Sequence, residues 1–538
     1  MTASRRWTWA LALAAVVSVA PLFSAKYLPF SDLPEHVATI AAFQHFHDPA
    51  FRVGEHFTIA WGESQYFLYH LVGAGLAKLT GSARVGNLVL LAAVGLAYPF
   101  ALRSLLRALG RDERLALFAP PLFFSHALVV GLLPFVASVP LVVVGLALVV
   151  EQAKVPLARR YVMLVVVGVL LLFTHVASLL VFVLAALGLC FAVDEREAKQ
   201  PLGAFASLRA LPRRASWLAP TGLLFVGWTL ASKMGRHGAS LREPGQITFT
   251  RTRALLRAFA FWSHDAWPSH GDELLAVVFW STIGVLAFLG VRRAQREGVR
   301  LPALVVPLVA VVVVYLALPN KIGGTDAINV RLGVFVPLFA LLVVDLGKER
   351  LGKIALGVAA FLVVANAANN TREIWTSQRS LGDFDRVLAA MEAGARVVTL
   401  TTYSDTPPDH FPPWIHVTAY HRVERGGVSE PSFGTLGHWP LHYRREAAPP
   451  PKPELFWEFA PCLYRNAEDG PYYDYVLVNG ELEPFAERPP GPAFEAVLRE
   501  GTWTLYRKIR GETYPPWDVP DRGPCKSRAS LRAAPKSS

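Results

Sequence analysis

The stretch Arg84–Arg114, RVGNLVLLAAVGLAYPFALRSLLRALGRDER, sets two signals side by side. From about 85 to 106 it is apolar over close to the ~20 residues that a helix needs to cross a bilayer. From 103 to 114 it carries four arginines, Arg103, Arg107, Arg111 and Arg114. An apolar span that ends in a basic linker is a membrane topology signal.

The same alternation recurs. Apolar blocks fall at about 7–25, 85–106, 115–131, 135–150, 161–174, 176–193, 215–233, 273–291, 301–319, 330–346 and 354–370. Basic residues gather at Arg5-Arg6, 103–114, 154–160, 196–214, 292–300 and 348–353. In a register of eleven spans every basic cluster lies on one side, which the positive-inside rule makes cytoplasmic. That solution requires 66–80 to lie along the outer face as a juxtamembrane helix. Several blocks are short of a full span, so kinked or half-length helices are expected, with a break at Thr174-His175.

Composition agrees. The 538 residues are 53% hydrophobic and only 17% charged, with a mean hydropathy of +0.35, too apolar for a soluble globule. The net charge of +12 resides largely in the linkers, which argues against nucleic-acid binding. Three cysteines are too few for a disulfide framework, although Cys462 and Cys525 could pair in an extracytoplasmic compartment. The apolar start reads as an uncleaved first membrane helix, since further spans follow.

The expected fold is mostly α: a polytopic helical bundle over 1–370 with a first outer loop at 26–84, then a small C-terminal α/β domain over 371–510. The segments 395–403, 473–480 and 501–509 read as strands, and 380–394 as a helix closed by Gly394. Residues 511–538 read as a disordered tail.

The chemistry concentrates in the polar segments that this topology places outside. In "YLPFSDLPEHVATIAAFQHFHDPAF" (27–51), Asp32, Glu35 and His36 begin a helix expected from about Pro34 to His47. That helix would turn Val37, Ile40, Ala41 and Phe43 broadly toward the bilayer. Asp-x-x-Glu with a proline near the helix start is close to a capping box, so Asp32 is either a cap or a general base. Glu63, Tyr66, Tyr69 and His70 repeat the mixture at 61–81, where the tyrosines suit an interfacial helix. His126, His175 and Arg331 interrupt or begin apolar blocks, where ionisable groups are costly; each histidine there reads either as functional or as a hydrogen-bonded structural residue. The topology gathers His126, His175, Lys321, Arg331 and Arg84 at the face that carries Asp32. A carboxylate there can take a proton from an attacking hydroxyl while a cation holds a departing lipid phosphate. The sequence contains no Walker motif, dinucleotide-binding fingerprint, zinc spacing or nucleophile elbow.

These features resemble the GT-C superfamily of polyprenyl-phosphate-sugar-dependent membrane glycosyltransferases, which includes protein mannosyltransferases and aminoarabinose transferases. The resemblance rests on one span followed by "SDLPEHVATIAAFQHF" and "ESQYFLYHLVGAGLAKLTGSARVGNLVLL", then many spans, and "LPNKIGGTDAINVRLGVFVPL" before a C-terminal domain. It implies a bacterial inner-membrane enzyme with a cytoplasmic N-terminus and a periplasmic C-terminal domain. Its donor is a polyprenyl-phosphate sugar and its acceptor a lipid, glycan or protein. It implies Asp32 as catalytic base, with Glu35 or Glu63 as second acid, and Arg84, Lys321 and Arg331 near the donor phosphate. His36, His70, His126 and His175 are expected to touch substrate. Here the acids are Asp-x-x-Glu, whereas the commonest pattern has them adjacent or one residue apart. No cofactor is firmly indicated, with room left for a divalent cation. Two other classes fit the same layout: a transporter or flippase for a lipid-linked glycan, and a non-catalytic cell-envelope assembly protein.

Overall fold

The computed structural model describes residues 3–193, 204–232, 247–249, 257–258, 262–297, 302–322, 327–347, 349–401, 412–450, 457, 461–480, 485 and 491–513. The expected tail beyond residue 513, Cys525, the side chain of Cys462 and the Gly323-Gly324 turn lie outside the described residues.

The chain is mostly helical. It begins with α1 (Ala3–Val19), α2 (Leu33–Gln44), α3 (Val53–His56), α4 (Phe67–Thr80) and α5 (Ala83–Ala108). There follow α6 (His126–Val130), α7 (Leu133–Lys154), α8 (Ala158–Thr174), α9 (Val176–Ala192), α10 (Ala204–Arg214) and α11 (Leu218–Ala231). Further long helices run over Gly271–Glu297, Pro302–Ala317 and Glu349–Leu381. Among the described residues, five helical stretches are long and apolar enough to cross a membrane: 5–23, 83–108, 133–154, 271–293 and 350–381. Shorter apolar helices accompany them, as the block lengths predict. The break at His175 is present, with that residue extended between α8 and α9.

Two expected blocks are not continuous helices. The 115–131 block is divided into 3-10 turns at Glu113–Phe118 and Pro120–Phe123 and the short α6. The 330–346 block is a 3-10 turn, Val330–Val334, followed by the short helix Phe335–Ala340. Pro120-Pro121 removes two amide donors in succession and so interrupts the first.

The chain divides into two compact units. One comprises Met1–Lys26, Trp61–Tyr69 and Leu90–Glu373. Within it, small residues sit where helices cross. A Cβ added at Gly145 of α7 would stand 2.7 Å from the Phe182 ring of α9 and 2.9 Å from Val167 of α8. Nearby, Ser138 donates to Ser178 at 2.6 Å. Glycine and serine at crossings are how apolar helices pack closely without a hydrophobic driving force between them.

The other unit comprises Tyr27–Ala60, His70–Val89 and Ile374–Ser538. Its centre is a five-stranded mixed sheet in the order β5-β4-β7-β9-β8, over Val428–Glu430, Arg396–Thr401, Tyr475–Asn479, Trp503–Thr513 and Pro492–Glu500. β4 runs parallel to β5 and β7, and β9 antiparallel to β7 and β8. Val398, Leu400, Trp457, Tyr473, Val476 and Phe494 form its buried core. The three strands read from sequence fall on β4, β7 and β9. The 380–394 stretch holds the end of one helix at Leu381 and a short one, Phe384–Ala389. A second small ladder pairs β1 (Phe57–Ile59) with β6 (Leu441–Tyr443), and α2 packs on the helix Ala419–Arg425. Residues far apart in the chain therefore share one core.

The turn between α4 and α5 shows how tightly this unit is drawn together. Gly81 adopts φ +72°, a left-handed conformation open to glycine. A Cβ at Gly86 would lie 2.5 Å from the Ala77 amide nitrogen, and backbone cannot yield as a side chain can. Gly86→Ala is expected to destabilise the protein by about 1–3 kcal/mol. Gly75→Ala, whose Cβ would meet nothing within 4 Å, serves as the control in a thermal melt.

Candidate active site

The opening of α2 shows what the Asp32 side chain does at the helix start. Asp32 occupies the N-cap position, and its backbone carbonyl accepts from the Glu35 and His36 amides at 3.1 and 3.3 Å. Its side chain makes no capping hydrogen bond. The carboxylate instead stands 3.5 Å from Nε2 of His416, with the aspartate side chain 21% exposed and the histidine buried. His416 Nδ1 lies 3.4 Å from the Pro431 carbonyl, which only accepts, so Nδ1 carries the proton and Nε2 is turned to Asp32. Phe433 packs edge-on against the imidazole at 4.9 Å. The carboxylate thus faces a buried imidazole and is open to solvent on part of its surface.

Glu35, three residues on, is fully buried. It forms a hydrogen-bonded ion pair with Arg422, itself buried, and accepts from the Phe433 amide at 3.0 Å and Ser432 Oγ at 3.3 Å. Arg422 also donates to Ser432 Oγ at 3.2 Å. A buried charge is tolerable when so paired and hydrogen-bonded. His36 Nδ1 lies 3.0 Å from His70 Nε2, the two rings stacked and both facing Trp439. The Trp439 indole donates to Thr39 Oγ1 at 2.9 Å. Val37, Ile40 and Ala41, expected to face the bilayer, are buried within this unit instead. Nearly every side chain from Leu33 to Ala42 is covered, because α2 is packed on more than one side.

Arg84 lies 3.5 Å from Glu424 and its guanidinium 5.4 Å from the centre of the Tyr27 ring. The Tyr27 hydroxyl donates to Asp385 at 2.5 Å; burial, then that carboxylate, raises its pKa. His421 is also buried in this unit. Burial first, then Arg425 and Arg422, lower its pKa from 6.5 to about 4. The folded chain therefore binds this proton more weakly than the unfolded chain. Stability is full above pH of about 6.5 and falls as the pH drops toward 4, by on the order of 3 kcal/mol. His421→Leu is expected to flatten that dependence in melts at neutral and acid pH.

The membrane-helical unit holds the remaining candidates. Arg331 is buried and donates through Nε to the Ala327 carbonyl at 2.7 Å. Its Nη1 lies 3.2 Å from His175 Nε2. A guanidinium only donates, so Nε2 accepts and His175 is neutral with its proton on Nδ1. The Tyr66 ring packs against this imidazole at 5.5 Å, so a tyrosine expected to anchor at the membrane interface is buried beside the pair. Ala327 itself has φ +55°, a strained conformation for a residue with a Cβ. His126 donates from Nδ1 to the Asp265 carbonyl at 2.8 Å and packs on Trp262. Glu63 is half-buried in the turn before α4, and Lys321 is exposed on β3 (Lys321–Ile322), which pairs with β2 (Ile247–Thr248).

Among the described residues no group of three or more His, Cys, Asp or Glu side chains could hold a metal ion. His416, Arg422 and Trp439 escaped the sequence reading. The run "WIHVTAYHRVER" (414–425) has the histidines and arginine to draw notice, but no spacing that ties them to residues 32–39.

No family model matches the chain, and no curated protein matches it by sequence. Solved structures do. A crystal structure of ArnT from Cupriavidus metallidurans bound to undecaprenyl phosphate matches with a TM-score of 0.57 at 12% identity, covering 95% of this chain and 99% of that one. The cryo-EM structure of the arabinofuranosyltransferase AftD from mycobacteria matches with a TM-score of 0.47 at 16% identity, covering 94% of this chain and 40% of that one. The match to ArnT along almost the whole of both chains establishes the architecture: this chain shares the fold of that structure.

Proposed function

We propose that this chain is an inverting glycosyltransferase of a bacterial inner membrane, with about eleven spans, a cytoplasmic N-terminus and a periplasmic C-terminal region that shapes the acceptor site. It moves a sugar from a polyprenyl-phosphate donor to a lipid, glycan or protein acceptor. The observation that carries this reading is Asp32, a partly exposed carboxylate at a helix start that is not spent on capping and faces a buried imidazole.

In the reaction the acceptor hydroxyl gives its proton to the Asp32 carboxylate as its oxygen attacks the anomeric carbon. The bond between that carbon and the phosphate oxygen breaks with inversion, and polyprenyl phosphate leaves with the bonding pair. His416 positions the base. Glu35 is assigned to structure because Arg422, Ser432 and the Phe433 amide occupy its oxygens. Glu63 is then the second acid. Lys321 is assigned to the leaving phosphate because it is exposed, whereas Arg84 lies beside Glu424 and Arg331 is buried against the Ala327 carbonyl and His175. Arg331 instead orders Tyr66 and His175 for substrate.

The test is reconstitution in liposomes with labelled polyprenyl-phosphate sugars. Label should appear in a new glycosidic bond. Movement of the carrier across the bilayer without bond formation would replace the enzyme by a flippase.

A further inference from the structure

A hollow of about 340 Å3 lies within the membrane-helical unit, where the start of α1 meets the end of α5 and the basic turn that follows. We propose that it binds the phosphate of an anionic phospholipid headgroup, in the leaflet to which the positive-inside rule assigns residues 103–114.

The charges that line it are not equally available. Arg103 is bound to Glu113 at 2.7 Å and to Thr8 at 2.9 Å, and Arg114 to Asp112. Glu113 is further held by Arg107, and these arginines keep its carboxyl ionised with a pKa of about 2. Arg111 is different. It donates to the Val344 carbonyl at 2.6 Å, and has no carboxylate partner among the described residues. Its Nε–H is buried without a hydrogen-bond acceptor among the described residues. Three arginines against two carboxylates leave the lining net positive, with one guanidinium whose fork is still open. A phosphate oxygen supplies the acceptor that Nε–H lacks, and guanidinium geometry suits it.

The rest of the lining selects for an amphiphile over free phosphate. Trp7, Leu11 and Leu117 make the other wall. On the same helix α1, Trp9, Leu13 and Val16 are left exposed, a stripe on which acyl chains can lie. A basic pocket between membrane helices at the cytoplasmic surface is the setting in which anionic headgroups are bound.

The test is native mass spectrometry of the full-length protein released from nanodiscs containing phosphatidylglycerol and phosphatidylcholine with the same acyl chains. The wild type should retain one phosphatidylglycerol under activation that strips phosphatidylcholine. Arg111→Gln should lower that retained fraction at least fivefold, and Arg111→Lys, which keeps the charge but lacks the Nε–H donor and the fork, should lower it by a smaller factor. Arg159→Gln, at an exposed arginine of another basic linker that does not line the hollow, should leave it unchanged. Equal retention by Arg111→Gln, or equal retention of the two lipids, would overturn the proposal. Displacement of the lipid by millimolar inorganic phosphate would show a free-phosphate site and overturn the lipid assignment.

Discussion

Asp32→Asn, inserted and folded, is expected to lower sugar transfer by at least about a hundredfold, the range in which general bases contribute. The asparagine keeps the volume of the side chain and can still face His416, so packing around α2 should be undisturbed. What it lacks is a basic oxygen for the acceptor proton. Because the Asp32 side chain makes no capping bond, the substitution removes no helix-stabilising contact, and the melting temperature should stay within about a degree or two. Transfer measured with labelled polyprenyl-phosphate sugar then separates base from cap: a cap would keep its rate as well as its stability, since asparagine caps a helix about as well as aspartate. His416 offers an independent arm. As a positioning residue it should be replaceable in part by Gln, which retains a donor and polar contact, and much less by Leu. Equal rates for His416→Gln and His416→Leu would remove it from the mechanism.

Arg422→Ala is expected to produce the largest loss of stability, about 3–5 kcal/mol, because it leaves the buried Glu35 carboxylate without its compensating charge. The ion pair need not stabilise the fold relative to an apolar pair. Its cost arises when it is broken, since Glu35 is fully buried and water cannot replace the guanidinium. The double variant Glu35→Gln/Arg422→Met should therefore recover much of what Arg422→Ala loses. Thermal melts of both in detergent check this. Near-identical melting of Arg422→Ala and wild type would mean that the carboxylate is solvated or neutral in solution. The same comparison bears on function, because an intact rate in the double variant is expected only if Glu35 is structural.

What the sequence decided by itself is a mostly helical chain with several apolar helices long enough to cross a membrane. Apolar blocks with lengths near the bilayer thickness, separated by arginine-rich linkers as at 103–114, depend only on transfer energetics and charge, which are local properties of the chain. The helix at 33–44, the helix at 67–80, the break at His175 and the strands β4, β7 and β9 were legible for the same reason: periodicity, proline and glycine act over a few residues. The broken helices at 113–130 and 330–340 were only half legible, since their prolines were visible but the resulting 3-10 turns were not.

What only the tertiary structure decided is which polar groups have partners. The spacing Asp-x-x-Glu treats Asp32 and Glu35 as equivalent acids. Their surroundings separate because Arg422 and Ser432, nearly four hundred residues away in the chain, meet one of them and His416 the other. Likewise Arg331 reads as a phosphate ligand from position alone, and only the packing shows that its Nε and Nη1 face the Ala327 carbonyl and His175. A carboxylate's accessibility and a guanidinium's remaining donors are set by long-range packing, and no local pattern encodes them.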